Sequence, residues 1–185
     1  MMTTPAPKGF TLVETLVAIT ILMIALIGPF YSLQHAINYS ESARDSFVAE
    51  SLAQEGMEYV YAVRDNNYLY DSQNAGARTW LAGFDGTAGG VSDHANCYSA
   101  NGCTVDPTQN NVDSCSSQGC TPLYMSDSNL YTQDDSSDFT PTRFIRTVKL
   151  TAVSATQTNV TVTVTWSTNR VQYTTNVTDS LYNWL

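Results

Sequence analysis

Lysine is almost missing from this chain: Lys8 and Lys149 are the only two, the six arginines are scattered, and 17 acidic residues leave a formal net charge of -9. Without a basic stripe nothing can neutralise a phosphate backbone, so no direct nucleic-acid binding by this subunit is expected. Histidine is equally scarce, with His35 and His94 far apart. There is no G-x-S-x-G elbow, no H-E-x-x-H and no glycine-rich phosphate loop, so nucleophilic and metal catalysis lack their usual players and no cofactor is expected. At 11% aromatic and 14% charged, the chain is nonetheless too apolar to be an acidic disordered polymer. Its 185 residues suit one domain of ordinary size, or a small domain with an accessory segment.

Cysteine is absent except between Cys97 and Cys120, where Cys97, Cys103, Cys115 and Cys120 fall in a stretch rich in Ser, Asn and Gly. The spacing lacks the close hooks and neighbouring histidines of a zinc module. If this region is exported, two disulfides are expected; three connectivities are open, and the reading leans to the local pairs.

Charge is also missing from Phe10 to Leu33, with one exception, Glu14. The apolar run is long enough to cross the roughly 30 Å hydrocarbon core as a helix. Lys8 precedes it and no positive charge follows until Arg44, which keeps the N-terminus cytoplasmic and sends the remainder out. Three readings compete. A cleaved secretory signal needs small residues in an A-x-A arrangement after the run, and "GPFYSLQHA" offers no good match. A plain signal anchor leaves Glu14 as an accident snorkelling near the interface, although an ionised group within a membrane helix costs roughly 2.5 to 3.5 kcal/mol.

The third reading comes from "KGFTLVE", Lys8 to Glu14, which resembles the processing motif of type IV prepilins and pseudopilins: a short basic leader ending in Gly, then Phe, a few apolar residues and Glu at the head of an apolar helix. The resemblance implies a membrane-embedded prepilin peptidase/methyltransferase that cuts after Gly9 and methylates the new amine on Phe10, so the apolar helix stays in the mature protein. Losing Lys8 would take the formal charge from -9 to -10. Phe10 and Glu14 are spaced to share one helical face, the new ammonium one turn from the carboxylate. In the family such a glutamate pairs with the N-terminal amine of a neighbouring subunit, which implies an assembly role for Glu14. One departure is visible: many major pilins carry a helix-kinking proline slightly later, whereas here "IGPF" places Gly28 and Pro29 earlier, with a kink or local melting expected.

Beyond the membrane, Leu33, Ile37, Phe47, Val48, Leu52, Met57, Val60 and Val63 recur at helical spacing. Joined to the apolar run, Phe10 to about Arg64 predicts one rod on the order of 80 Å, stopped by Asp65, Asn66 and Asn67. His35, Glu50, Glu55 and Glu58 read as a solvated face. "RDSFVAESLAQEGMEYV" resembles the second half of the pilin helix in PilV-like minor pilins, and "PLY", "TVTVTW" and "SLYNWL" are similar to parts of the same group.

From Tyr68 to Cys120 the composition turns to loop, with "RTWLAGF" as one short element anchored in the core by Trp80. "TPLYMSDSNLYTQ" reads as a hairpin, Leu123 to Met125 against Leu130 to Thr132. "DDSSD", Asp134 to Asp138, has oxygen donors but not the spacing of a calcium loop, and reads as a solvated acidic turn. "RFIRTVKLTAV", "NVTVTVTW" and "RVQYTTNV" alternate with period two and predict a three-strand antiparallel meander, turning at Thr168 and Asn169. Its apolar face needs a cover, and the helical stripe supplies one.

The expected class is therefore α+β and pilin-like. The expected divisions are a leader at 1–9, a membrane half of the helix at 10–33, an amphipathic half at 34–65, a variable region at 66–142 and the meander at 143–185. The function expected from the resemblance is a minor pilin or pseudopilin, a structural, non-enzymatic subunit of a type IV pilus-like filament. Its partners would be the peptidase, other pilin or pseudopilin subunits and membrane lipid. It would sit as a single-pass protein of the cytoplasmic membrane with an extracytoplasmic C-terminal domain, and in the filament after assembly. The alternatives are a pseudopilin of type II secretion or competence, or a membrane-anchored adhesin presenting Trp80, Tyr98 and the cysteine loop.

Overall fold

The computed structural model describes residues 9–92, 94–168 and 170–183. The chain divides into two compact units, Met1–Arg44 and Asp45–Leu185. One α-helix, α1 (Leu12–Gln73), contributes to both. From Leu12 to Glu41 it is exposed on every side, and it is long and apolar enough to cross a membrane. The hydroxyls of Thr15 and Thr20 within the run return to the carbonyls of Leu12 and Val17, so neither brings an unsatisfied donor into the apolar stretch. The helix continues through Gly28 and Pro29. Pro29 withholds the N–H that would bond the Ala25 carbonyl, but no melting interrupts the turns around it.

In the second unit α1 covers an antiparallel sheet of five strands in the order β2-β1-β6-β7-β8, where β1 is Cys103–Asp106, β2 Asn111–Ser114, β6 Ile145–Ser154, β7 Gln157–Thr168 and β8 Val171–Tyr182. A smaller sheet joins β3 (Tyr124–Met125) to β4 (Tyr131–Thr132) and β5 (Thr140–Pro141). Alternation decides the faces: Val160, Val162, Val164 and Trp166 of β7 are buried, with Val148 and Leu150 of β6, under Ala49, Leu52, Ala53, Met57, Val60 and Val63 of the helix. Small residues let the layers close. A Cβ built on Gly56 would lie 3.0 Å from Val162 Cγ1 and 3.1 Å from Arg146 Cδ.

The meander stands where its alternation places it, and the hairpin forms as expected but shorter, Tyr124–Met125 against Tyr131–Thr132. β7 ends at Thr168 and Arg170 is left-handed at φ 66°, while Asn169, the other half of the expected turn, lies outside the described residues, as do leader residues 1–8, Trp184 and Leu185.

Four expectations are corrected. The helix does not stop at Asp65–Asn67: Asn67 is buried and its Nδ2 donates to the Ala82 carbonyl, so the side chain serves a tertiary contact and not a cap. Termination comes at Asn74 to Gly76, the glycine at φ 78°. Phe47 belongs to the outer face, at 72% exposed, since the turn below it buries Ala49, Leu52 and Ala53 instead. Trp80 is only partly buried, while its neighbours Leu81 and Phe84 are the core residues. The region read as loop contains β1 and β2, paired through Val105↔Val112. Each is four residues long, with two polar residues in β1 and three in β2, too short to show a period.

Candidate assembly and processing site

Gly9, Phe10 and Glu14 lie together at the head of the apolar helix. A Cβ on Gly9 would meet nothing within 4 Å, and Phe10 is 80% exposed, so this junction is open to another protein. Helix α1 starts at Leu12, with Thr11 as its N-cap: the backbone N–H of Glu14 donates to Thr11 Oγ1 at 3.3 Å. The sequence T-x-x-E is the signature of a capping box, and Thr11 is the residue that reading the charge pattern alone overlooks. Its hydroxyl, three residues before the acid, was the available signal.

This geometry changes one expectation. Phe10 precedes the cap, so it does not share a helical face with Glu14 in this chain; Thr11 breaks the register by taking the cap conformation. Glu14 instead sits in the first turn, where the unpaired N–H groups of the helix favour a carboxylate. The ion pairs among the described residues, Arg64–Asp65, Arg143–Asp45 and Arg146–Glu55, do not include it. Glu14 is thus an exposed carboxylate on an exposed apolar helix, capable of meeting a cation from outside the chain.

The four cysteines form two local disulfides, Cys97–Cys103 and Cys115–Cys120. The first is core: both residues are fully buried, Cys97 N–H donates to the Phe84 carbonyl and its own carbonyl accepts from Leu150 N–H. Gly102, ahead of Cys103, is at φ 70° and its Cβ position lies 2.6 Å from the Val148 carbonyl oxygen, so only glycine lets the loop reach β6. Tyr98 is half-buried and its hydroxyl is hydrogen-bonded with Thr158 Oγ1 at 2.8 Å. The cysteine loop is therefore stitched into the sheet.

The acidic residues sort into structural uses. Asp106 is 2% exposed and accepts from the hydroxyls of Thr132 and Thr108 and the N–H groups of Gln133, Thr108 and Gln109. Burial pushes its carboxyl up, but those donors outweigh it and hold the group below the ordinary carboxylate value. Asp134 Oδ1 accepts from Ser136, and among the described residues no three His, Cys, Asp or Glu side chains converge as a metal site. Glu55, expected on a solvated face, pairs with the fully buried Arg146 at 2.5 Å. Arg146 also donates to the carbonyls of Leu52 and Val105 and so ties helix, β6 and β1 together. On the far side of the helix, the Tyr61 hydroxyl donates to Asp179; burial, with that bond, pushes it up to about 12.

Residues 6–28 match the family described as the prokaryotic N-terminal methylation motif. No curated protein and no solved structure matches the chain. The match embraces Gly9, Phe10, Glu14 and Gly28 and ends one residue before Pro29. The N-terminal segment is thus a type IV prepilin-like signal leading directly into the helix, and the chain as a whole has the pilin-like α+β arrangement of one long helix and an antiparallel sheet.

Proposed function

We propose that this protein is a minor pilin or pseudopilin, a structural subunit cut after Gly9 by a prepilin peptidase, methylated on Phe10 and added to a type IV pilus-like filament through its apolar helix. The observation that carries the reading is the conjunction at residues 6–28: a methylation-motif match whose one acid, Glu14, stands exposed in the first turn of an apolar helix.

The physical logic follows from that acid. An unpaired carboxylate within the bilayer costs roughly 2.5 to 3.5 kcal/mol, a cost offset when a cation meets it in the same apolar medium. Cleavage after Gly9 creates such a cation, the amine of Phe10, and methylation retains its charge. A neighbouring subunit's Phe10 amine would neutralise Glu14 and fix the axial register of the incoming protomer. Before assembly the subunit waits in the cytoplasmic membrane, its disulfide-bearing unit on the oxidising side. The likeness of the second half of the helix to PilV-like proteins favours the minor-pilin role.

Intact mass and N-terminal sequencing of protein extracted from host membranes test this directly. A chain starting at N-methylated Phe10 is expected. A chain starting at Met1, or cut beyond Leu33, overturns it.

A further inference from the structure

Along the exit of the apolar run, Tyr31, His35 and Tyr39 line one side of α1 at successive four-residue steps. Their rings follow one another, with centroids 4.4 Å apart for Tyr31 and His35 and 6.4 Å apart for His35 and Tyr39. They are open to the surroundings, Tyr31 at 65% and Tyr39 at 74%. On the opposite side Leu33 and Ile37 continue the apolar surface, both also exposed. Hydropathy therefore leaves the exit point undefined between Phe30 and Ile37, because one side of the helix is still apolar after the other has become amphipathic.

Length resolves the ambiguity. From Leu12 to Tyr31 the helix rises about 29 Å, close to the roughly 30 Å of a hydrocarbon core. His35 and Tyr39 then stand about 6 and 12 Å further out, across the headgroup layer. Tyrosine, an apolar ring with a polar tip, concentrates at that boundary. At the other end Glu14 falls within one turn of the inner boundary, still inside the apolar run.

We infer that the Tyr31–His35–Tyr39 stripe is a docking surface for the headgroup layer of a phospholipid bilayer, and that it fixes the depth at which the helix rides. The inference rests on the membrane-spanning reading and adds a position to it. With the stripe at the outer interface and Glu14 at the inner one, the waiting subunit has a defined register against the membrane, and a shift outward drags Glu14 toward the bilayer centre.

The test uses the full chain in phosphatidylcholine vesicles, with a water-soluble maleimide admitted to both faces. The four native cysteines are paired, so a single introduced cysteine is the reactive thiol. Scanned from 16 to 40, labelling is expected to be absent through 30 and to begin between 32 and 35. In the Tyr31→Ser/Tyr39→Ser variant the first labelled position should move toward the N-terminus by about one helical turn. Leu33→Ser lowers hydropathy on the opposite side and should leave the boundary in place. An unmoved boundary in the double variant, with or without disulfide-linked dimers through position 35, overturns the inference, as does an equal shift in Leu33→Ser. Labelling throughout 16–27 would instead overturn the membrane-spanning reading itself.

Discussion

The backbone N–H of Glu14 donates to the hydroxyl of Thr11 at 3.3 Å, so the acid that a filament would use as its counter-ion is also the third residue of the helix it stands on. Cap and charge reside in different atoms, and substitution separates them. Thr11→Ala removes the acceptor and should cost the helix start about 1 kcal/mol, seen as faster amide exchange over Leu12 to Thr15, while filament incorporation persists. Glu14→Ala keeps the N–H and the cap, and should leave insertion and cleavage unchanged. Its incorporation into filaments should fall by roughly 50-fold or more, the equivalent of an unpaired charge in the bilayer at about 2.5 kcal/mol. Normal incorporation of Glu14→Ala would refute the assembly role.

Gly9 has no packing reason to be glycine, since a Cβ there meets nothing. The proposed cleavage would supply one, because a protease that grips the backbone there leaves no room for a side chain. Gly9→Val should therefore leave helicity and thermal unfolding as in the parent, yet appear by intact mass with the leader retained. Efficient removal of the leader in that variant would show that the cut lies elsewhere.

Gly56 is the opposite case. Alanine gains about 1 kcal/mol in helix propensity, but its methyl would press on Val162 Cγ1 and Arg146 Cδ. Neither can yield: Val162 is fully buried in a central strand and Arg146 is held to Leu52, Glu55 and Val105. Overpacking should win, and urea unfolding of Gly56→Ala should report a net loss of about 1 to 2 kcal/mol. A stabilised variant would mean that the layers can separate more easily than their packing implies.

The two disulfides close loops of nearly equal length, separations of 6 and 5, so chain entropy alone assigns each about 2 kcal/mol. Burial makes them unequal. Replacing Cys97 and Cys103 by alanine also empties two fully buried positions, and should cost about 1 to 2 kcal/mol more than the same change at Cys115 and Cys120. Denaturant midpoints of the two double variants decide the order.

Asp106 gives the fold an acid limb. Because its folded carboxyl lies below the ordinary value of 3.8, its contribution is complete above that pH and is lost as pH falls through the folded value. Asp106→Asn should flatten the loss of stability below about pH 4, where an unfolded aspartate begins to bind its proton. It should also lower stability at neutral pH, since an amide nitrogen would face donors from Thr132 and Gln133. An unchanged acid limb would assign it to other carboxylates.

Much of this architecture is legible in the chain. The period-two runs at 145–168 announce β6 and β7, and the uncharged stretch after Phe10 announces the exposed helix, because each repeats one simple rule many times. What stays hidden is set by single tertiary contacts. Asn67 looks like a stop signal until the Ala82 carbonyl claims its side chain. Arg146 looks like one more scattered cation, yet it is the largest fully buried side chain among the described residues, and only the helix packed on the sheet supplies its carbonyl partners. At the candidate site the motif names Gly9, Phe10 and Glu14 directly, whereas the cap that displaces Phe10 from the helix depends on the hydroxyl of Thr11.

Every buried apolar side chain among the described residues belongs to Ala49 or later. Core packing therefore exerts its demand from Ala49 onward, and the run from Phe10 to Leu33 is apolar with no buried core to explain it. One continuous helix thus joins a stretch whose composition is constrained by side-chain packing to a stretch whose composition that packing leaves free.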